Sequence, residues 1–388
     1  MQHVFIVGAK SLGKYGGYET FINKLTEYHA ENTELKYHVS VKANGQGASV
    51  PNNAVYTNDR RYVYHNADCF EIHVPEILGA AQAIYYDCKA LSVCIRIIKD
   101  EKIENPIVYV LTCRIGPFFN HYVKKLHSCG GKVFLNPDGH EWKRAKWNKL
   151  VRAYWKRSEC LMVNKADLII CDSKNIEKYI HEEYSQYNTE YIAYGADVCE
   201  STADDVDWLS EKGLTKDKYY LVVGRFVPEN NYETMIREFM KTKTDKCLAI
   251  ITNVNLSFLE ELDKITGYSK DERIKFCGTV YDENLLKKIR EDAYGYLHGH
   301  EVGGTNPSLL EALASTKLNL LLDVGFNHEV AEDGAFYWTK SYNNLKELIE
   351  KCEDIDRNEI SERAKTRIKE FFSWEYICKK YEKVFVKQ

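Results

Sequence analysis

The sequence predicts an α/β protein with two Rossmann-like halves, and three observations support this prediction. The chain has 388 residues, more than one hydrophobic core usually supports, so two domains are expected. Short β-rich stretches alternate with longer helical patterns, which is typical of parallel sheets covered by helices. This alternation reaches about residue 195, gives way to a weakly periodic acidic stretch, and then starts again.

These patterns define four segments. We predict a first domain over residues 1–195, a linker over 196–217, a second domain over 218–370 and a terminal helix over 371–388. In the first domain, successive strand and helix pairs are predicted at 3–9 and 18–31, 107–111 and 117–128, 132–136 and 142–164, and 167–171 and 175–183, with a last strand at 191–194. In the second, strands are predicted at 219–223, 247–252, 274–277, 294–298 and 318–322, and helices from 229, from 256, over 282–291 and over 307–315.

Composition excludes several classes of protein. Hydrophobic residues make up 44% and charged residues 28% of the chain, which is ordinary for a globular protein. A formal net charge of −4 does not favour nucleic-acid binding. The twelve cysteines are scattered singly, so we expect reduced thiols rather than disulfides or a zinc site. The N-terminus begins as an apolar strand without a secretion-signal pattern, and we expect a cytoplasmic protein, soluble or peripheral on a membrane.

Two glycine-rich turns in the predicted parallel sheets suit phosphate. Gly16 and Gly17 precede the first helix, where backbone N–H groups can approach phosphate oxygens, although a plain tight turn is the alternative. Gly303 and Gly304, followed by Thr305 and Asn306, lead into a helix with Pro307 in its first turn. The glycines near the N-terminus do not fit Gly-x-Gly-x-x-Gly, which weakens a dehydrogenase interpretation.

Charged residues follow several predicted strands. Gly224 and Arg225 come directly after a strand, and a guanidinium beside a helix N-terminus suits a diphosphate. Glu311 lies one turn into the helix that begins near Pro307; a buried structural role is its alternative. Asp138 and Asp172 stand at carboxyl ends of first-domain strands, where ligands bind in open parallel sheets. Capping is the better interpretation for Ser173, which follows Asp172.

A basic run follows Asp138. Between Trp142 and Arg157 there are seven lysines and arginines and no acid. A solvated helix face and attraction to anionic lipid headgroups or a pyrophosphate-bearing substrate are both open.

These motifs resemble glycosyltransferase family 4 over nearly the whole chain, and most closely the bacterial rhamnosyltransferases of capsule and cell-wall polysaccharide assembly. The similarity is carried by residues 15–21, 136–144, 224–232 and 303–311. It implies the GT-B fold, with a cleft between two Rossmann-like domains and a C-terminal helix that crosses back to the first. It also implies retaining, metal-independent transfer from a nucleotide sugar, TDP-rhamnose, to a polyprenyl-pyrophosphate-linked saccharide on the inner face of the cell membrane.

The resemblance also implies roles for individual residues. Arg225 stabilises the leaving diphosphate and Glu311 binds the ribose, while Asp138, Asp172 and Tyr194 position either the acceptor or the developing positive charge. The donor site further takes in Gly16, Gly17, Gly224, Asn230, Gly303, Gly304, Thr305, Asn306, Ser308 and Leu309. Acceptor or anionic-membrane contacts fall to His140, Lys143, Arg144 and Lys146.

Two departures from the family pattern concern the donor. Asn230 stands where the family has a second basic residue, and Gly303 where it has the first Glu of Glu-x7-Glu. The diphosphate charge would then rest mainly on Arg225 and backbone amides.

Alternative functions are a UDP-sugar epimerase of GT-B fold and a non-catalytic nucleotide-sugar-binding subunit of an assembly complex. No metal site is predicted: the pairs Asp205/Asp207 and Asp354/Asp356 match Asp-x-Asp only superficially.

Overall fold

The computed structural model describes residues 1–144, 146–203 and 207–386. Asp205 of the first Asp-x-Asp pair therefore lies outside the described residues. By contacts, the described chain divides into two compact units. The first contains residues 1–143, 147–193 and the last helix, and the second contains residues 144–146 and 194–373.

The first half of the chain alternates strands and helices. Its strands are β1 (Gln2–Val7), β2 (Leu35–Lys42), β3 (Val55–Asn58), β4 (Arg61–Tyr64), β5 (Ala67–Ile72), β6 (Ile107–Leu111), β7 (Lys132–Asn136), β8 (Leu168–Cys171) and β9 (Thr189–Tyr191). Its helices are α1 (Gly17–Tyr28), α2 (Gln82–Asp100), α3 (Gly116–His127), α4 (Lys149–Val163) and α5 (Lys174–Tyr184). Short 3₁₀ segments cover Glu76–Ala81 and Glu141–Lys143.

The second half repeats this pattern. Its strands are β10 (Tyr219–Val223), β11 (Cys247–Ile251), β12 (Ile274–Gly278), β13 (Gly295–His298), β14 (Asn319–Leu322) and β15 (Phe336–Trp338). The helices are α6 (Asp207–Glu211), α7 (Tyr232–Met240), α8 (Leu256–Thr266), α9 (Glu283–Asp292), α10 (Pro307–Ser315), α11 (Gly325–Ala331), α12 (Asn344–Cys352), α13 (Asn358–Phe371) and α14 (Trp374–Val386). Two further 3₁₀ segments are Pro228–Asn230 and Tyr268–Lys270.

The first unit is built on a nine-stranded sheet with the order β3-β4-β5-β2-β1-β6-β7-β8-β9. All neighbours are parallel except that β4 runs antiparallel to β3 and to β5. The parallel sheet predicted from the alternation thus carries an antiparallel hairpin at this edge, which the sequence analysis did not identify. Four-residue strands joined by a two-residue turn form a hairpin here, and every residue of β3 is exposed, so no apolar periodicity marks this strand in the sequence.

Helices cover both faces of this sheet. On one face, Phe119 of α3 and Cys94 of α2 belong to the same buried cluster as Phe5 and Val110 of the central strands. On the other, α14 returns to the first unit: Tyr381 packs against Phe21 of α1, with ring centroids 5.0 Å apart. Strands β1 and β6, which are buried on both faces, read as near-continuous apolar runs for this reason.

The second unit is built on a six-stranded, wholly parallel sheet with the order β12-β11-β10-β13-β14-β15. This is the doubly wound order, in which the first strand lies centrally and the order of strand addition reverses beside it. Loops after β10 and β13, which pair with each other, consequently leave the same edge of the sheet side by side.

Three boundaries differ from the prediction in ways that matter for the site. The predicted helix over 142–164 is broken: a 3₁₀ turn covers Glu141–Lys143, and α4 starts only at Lys149, where the Asn148 side chain accepts a hydrogen bond from the N–H of Val151. The helix predicted from 229 begins with a 3₁₀ turn and becomes α-helical at Tyr232. The strand predicted over 191–194 ends at Tyr191.

Candidate functional site

The loops after β10 and β13 are joined by side-chain hydrogen bonds. The Asn230 carboxamide donates to the carbonyl oxygen of Arg225 over 2.7 Å and contacts His300 Nδ1 through its oxygen at 2.8 Å. Asn231 likewise donates to the carbonyl oxygen of Gly299 over 2.8 Å. Both loops thus form one rigid edge.

Asn230 has a different role from the predicted one. It was expected to bind the donor's diphosphate, but it is buried and both ends of its carboxamide are engaged by protein groups. A side chain held in this way orients the Arg225 loop. Arg225 itself is exposed, and the adjacent Gly224 is half-buried. A methyl group added to Gly224 would make ordinary van der Waals contact with Asn230 and Tyr232.

The turn before α10 contains the glycines expected to cradle phosphate. Asn306 is the N-cap of this helix: its side-chain oxygen accepts from the N–H of Ser308 at 2.9 Å and of Leu309 at 3.4 Å. These two amides, predicted to face the donor, are therefore satisfied within the protein. Within the described residues, no acceptor is paired with the N–H groups of Gly303 and Gly304, which leaves them as the candidate anion donors of the turn.

Glu311 is held by a residue that the sequence analysis did not identify. Arg290 of α9 is buried and approaches Glu311 Oε2 through Nη2 at 2.6 Å. The same Nη2 donates to the Ser308 hydroxyl at 3.2 Å. This pair fixes the carboxylate one turn into α10. Nothing in the sequence marks Arg290, because it is a single arginine on an amphipathic helix.

In the first unit, Asp138 and Asp172 follow β7 and β8, two neighbouring strands. Asp172 is buried, and Asp138 is half-buried with its carboxylate accepting the N–H of Gly139 at 2.8 Å. Thr112, Asp138 and His140 all have positive φ. Strained backbone concentrated after adjacent strands is common at functional sites. Ser173 caps α5, as predicted.

Three further polar side chains of this edge were missed by the sequence analysis. Asp87 of α2 is fully buried and lies 3.3 Å from Arg114 Nη1, in the loop after β6. Burial raises the pKa of Asp87 to about 6, and Arg114 opposes that rise. The hydroxyl of Tyr18 is buried without a hydrogen-bond partner among the described residues. Burial, then Asp138 and Asp172, raise the pKa of Tyr18 well above 10.

The turn before α1 differs from the expected phosphate cradle. The N–H of Gly16 donates to the Thr20 hydroxyl at 3.1 Å, and the N–H of Lys10 donates to the Glu19 carboxylate at 3.1 Å. A carboxylate therefore already occupies the positive end of this helix. The arrangement favours the tight-turn alternative, and phosphate binding by Gly16 and Gly17 stays a prediction.

Tyr194 was predicted to lie near the carboxyl end of a first-domain strand, and its position differs from that prediction by the boundary between the two units. Strand β9 ends three residues earlier, and Tyr194 belongs to the second unit, where it is buried. Its role toward an acceptor stays a prediction.

The basic run forms a cavity in the first unit. It has a volume of about 400 Å³ and is lined by Trp142, Lys143, Lys149, Arg152, Ala153 and Lys156. Lys143 and Lys156 lie over the Trp142 ring at 5.2 and 4.7 Å. Leu150 is 83% exposed on the first turn of α4. Cations and apolar side chains thus share one surface.

Two of the residues predicted to meet an acceptor or a membrane are not exposed cations. Arg144 is only 7% exposed and groups with the second unit, which disfavours a contact with lipid headgroups; its contact with an acceptor stays a prediction. His140 packs on Tyr179 with ring centroids 4.2 Å apart. Burial, aided by Lys143 and Lys156, lowers the pKa of His140 to about 4, which leaves it neutral near pH 7. Lys143 and Lys146 are exposed, as such a surface requires.

Comparison with known proteins gives the class of protein. Residues 1–197 match the family described as "Domain of unknown function (DUF1972)", which covers just over half of the chain. Residues 207–370 match "Glycosyl transferases group 1". An uncharacterized glycosyltransferase of Methanocaldococcus jannaschii is 28% identical over 281 residues, or 68% of either chain. The chain belongs to the DUF1972 family and is a glycosyltransferase of GT-B type.

Solved structures support the same fold. Sucrose-phosphate synthase from Thermosynechococcus elongatus superposes with a TM-score of 0.76 at 12% identity, over 100% of this chain and 99% of that one. HepE from Anabaena, in complex with UDP, gives 0.71 at 14% identity over the full length of both. The GT-B architecture expected of this glycosyltransferase is thereby confirmed.

No group of three or more potential metal ligands occurs within the described residues of this glycosyltransferase. Among the described helices, none has the length and apolar character that crossing a membrane requires. Metal-independent transfer stays a prediction.

Proposed function

We propose that this glycosyltransferase uses a nucleoside diphosphate sugar and holds the donor's diphosphate at the β10 and β13 loops of the second unit. The observation that carries the proposal is that Arg225 and the N–H groups of Gly303 and Gly304 lie on neighbouring loops joined by hydrogen bonds. Among the described residues, those two N–H groups have no hydrogen-bond acceptor. A guanidinium and backbone N–H groups suit a diphosphate, because both donate hydrogen bonds to its anionic oxygens and the guanidinium also neutralises part of the charge. Relatives in structure have been solved with UDP and with UDP-glucose.

Glu311 would bind the nucleoside's ribose. Its carboxylate is oriented by Arg290 at 2.6 Å, and its side chain is 18% exposed, so a ribose hydroxyl can reach it.

The chemistry we propose is retaining transfer. The bond between the anomeric carbon and the diphosphate oxygen breaks, and the acceptor's hydroxyl forms the new bond on the same face. That hydroxyl's proton passes to the departing phosphate. The protein's contribution is to stabilise the negative charge that develops on the diphosphate, for which a single well-placed donor is worth about 3 to 4 kcal/mol.

The finer specificity we propose is transfer of rhamnose from TDP-rhamnose to a polyprenyl-pyrophosphate-linked saccharide in capsule or cell-wall synthesis. This rests on the motif resemblance. A peripheral position on an anionic membrane is supported by the cavity around Lys149 and Arg152 and by the exposed Leu150 beside it, because cations and apolar side chains together favour an anionic bilayer surface. Asp138 and Asp172 would position the acceptor.

The experiment is a panel of TDP-, UDP- and GDP-sugars, each incubated with the purified protein and a polyprenyl-pyrophosphate saccharide. Mass spectrometry follows the lipid product, and the released nucleoside diphosphate is quantified. We expect one donor to give equimolar diphosphate and glycosylated lipid. An altered nucleotide sugar without lipid product would indicate an epimerase, and no turnover with any donor would favour the non-catalytic subunit.

A further inference from the structure

His300 lies in the loop after β13, and its imidazole faces the loop after β10; these are the two loops proposed to hold the diphosphate. It is 7% exposed. Its Nδ1 is 2.8 Å from the Asn230 side-chain oxygen. A side chain added to Gly303 would place its first carbon 2.9 Å from His300 Nε2. The imidazole therefore faces Asn230 with one nitrogen and the glycine turn with the other.

The hydrogen bonds around Asn230 fix the tautomer of His300. The Asn230 nitrogen donates to the Arg225 carbonyl oxygen at 2.7 Å, so the carboxamide oxygen is the atom that faces His300. An oxygen acceptor requires that Nδ1 carry the proton. Burial, then the neighbouring His298, lower the pKa of His300 well below 6.5. A neutral ring with a proton on Nδ1 has a lone pair on Nε2.

The hydrogen bond that His300 makes among the described residues runs through Nδ1. The absence of a side chain on Gly303 keeps the space in front of Nε2 open. Gly303 has φ +146, a conformation that glycine adopts readily and other residues avoid. The turn is thus built with a hydrogen-bond acceptor directly beside the amides of Gly303 and Gly304.

The donor's sugar is attached directly to the diphosphate, so groups next to the diphosphate amides meet the sugar. We propose that His300 Nε2 accepts a hydrogen bond from a hydroxyl of the donor's sugar and thereby selects donors that carry a hydroxyl at that ring position. This inference rests on the proposed function. It assigns to His300 a specificity contact, with Asn230 as the residue that sets its tautomer.

The test compares His300→Asn with the native protein, by calorimetric titration of TDP and TDP-rhamnose and of UDP and UDP-glucose. The asparagine amide replaces Nδ1, so the contact to Asn230 persists while the Nε2 acceptor is lost. We expect the variant to bind the nucleoside diphosphate within about twofold of the native protein and its sugar-bearing form about tenfold more weakly, the size of one hydrogen bond. His328→Asn, a half-exposed histidine of the same unit, is the matched control and should change neither.

Equal affinities of His300→Asn and native protein for the sugar-bearing form would overturn the inference. Equal weakening of the diphosphate and its sugar would also overturn it, because that pattern indicates a purely structural histidine. Failure of the native protein to bind any of these nucleotides would instead contradict the TDP- or UDP-sugar donor of the proposed function. A thermal melt of each variant confirms folding, and the same selectivity should appear in steady-state kinetics as a raised KM for the sugar nucleotide.

Discussion

At the level of single residues, the first unit contains a buried carboxylate whose ionisation couples folding to pH. Asp87 is fully buried, and Arg114 is its hydrogen-bond partner. Because burial dominates, the pKa of Asp87 rises to about 6. Removing both groups from water is costly, and the ion pair offsets only part of that cost.

We predict that protonation of Asp87 stabilises the folded state at acidic pH, and that Asp87→Asn removes this dependence of stability on pH. The folded-state pKa of about 6 exceeds the unfolded value of about 3.9, so the folded protein binds this proton more tightly. The stabilisation is complete below about pH 4 and is lost as the pH rises through about 6, a change of roughly 2 to 3 kcal/mol. Urea unfolding at several pH values should show this rise from pH 7 to 4 in the native protein relative to the variant. Parallel profiles would contradict the assignment.

Some residues of the candidate site could be predicted from the sequence, and others could not. Arg225, Gly303, Gly304 and Glu311 were predicted because each follows a strand or opens a helix, and topology alone brings such positions to one edge. Arg290 and His300 were not predicted, because they act through side-chain partners that lie far away in the sequence. Ser308 and Leu309 were also predicted to bind the donor. Their N–H groups are engaged by the Asn306 cap, and their contact with a donor stays a prediction.

At the level of elements, α3 and α4 approach closely at Gly116. A methyl group on Gly116 would lie 2.5 Å from Ser158 Cα and 2.6 Å from its carbonyl oxygen. The Ser158 hydroxyl meanwhile accepts the N–H of Gly116 at 2.7 Å and donates to the Cys113 carbonyl at 2.6 Å. This contact sets where α4, and hence the basic cavity, lies on the first unit.

Gly116→Ala should therefore destabilise the first unit. Backbone atoms cannot yield as a flexible side chain can, so we expect a loss of about 1 to 3 kcal/mol, as for overpacked cores. Gly17→Ala is the matched control: it opens α1, and nothing lies within 4 Å of the added methyl. Calorimetric melting of both variants checks the prediction. Equal melting temperatures would show that the two helices shift apart at little cost.

The basic cavity allows a test of membrane attraction. We predict that Lys143→Glu combined with Lys149→Glu abolishes salt-dependent binding to liposomes of anionic lipid, because both cations line the cavity and bind headgroups electrostatically. The control is Lys99→Glu combined with Lys102→Glu. Lys99 lies in the last turn of α2 and Lys102 just after it, so this variant makes the same change in charge at residues that do not line the cavity.

Sedimentation with vesicles at low and high salt measures the effect. The α2 control should bind like the native protein. If both double variants lose binding equally, net charge rather than this cavity drives the association.

The bounds of some helices and strands could be predicted from the sequence more accurately than others. Strands Ile107–Leu111, Lys132–Asn136 and Tyr219–Val223 were predicted with the bounds they have, because strands buried on both faces form sharp apolar runs. The break before α4 was missed, since a continuous run of lysine and arginine reads as one helix whether or not the backbone turns at Glu141–Lys143. The exposed hairpin around β3 left no pattern to detect.

At the level of the whole molecule, each unit carries its own sheet and its own set of loops at the carboxyl edge. The family matches over residues 1–197 and 207–370 fall close to the two compact units. Helix α14 returns to the first unit, where Tyr381 contacts Tyr109 of β6 and Lys380 donates to the Tyr191 carbonyl at 2.5 Å. The two-domain plan was predictable from alternation and length, whereas the grouping of Arg144 and Tyr194 with the second unit depends on packing that a linear pattern does not contain.

The central claim is that Arg225 and the amides of Gly303 and Gly304 bind a sugar nucleotide's diphosphate. The most direct test is the affinity of native protein and Arg225→Ala for the nucleoside diphosphate that the donor panel identifies, with Arg237→Ala, an exposed arginine of α7 paired with Glu233, as control. We predict weaker binding of the nucleoside diphosphate and at least a hundredfold slower transfer for Arg225→Ala, with an unchanged melting temperature, and native behaviour for the control. Native affinity in Arg225→Ala would contradict the claim.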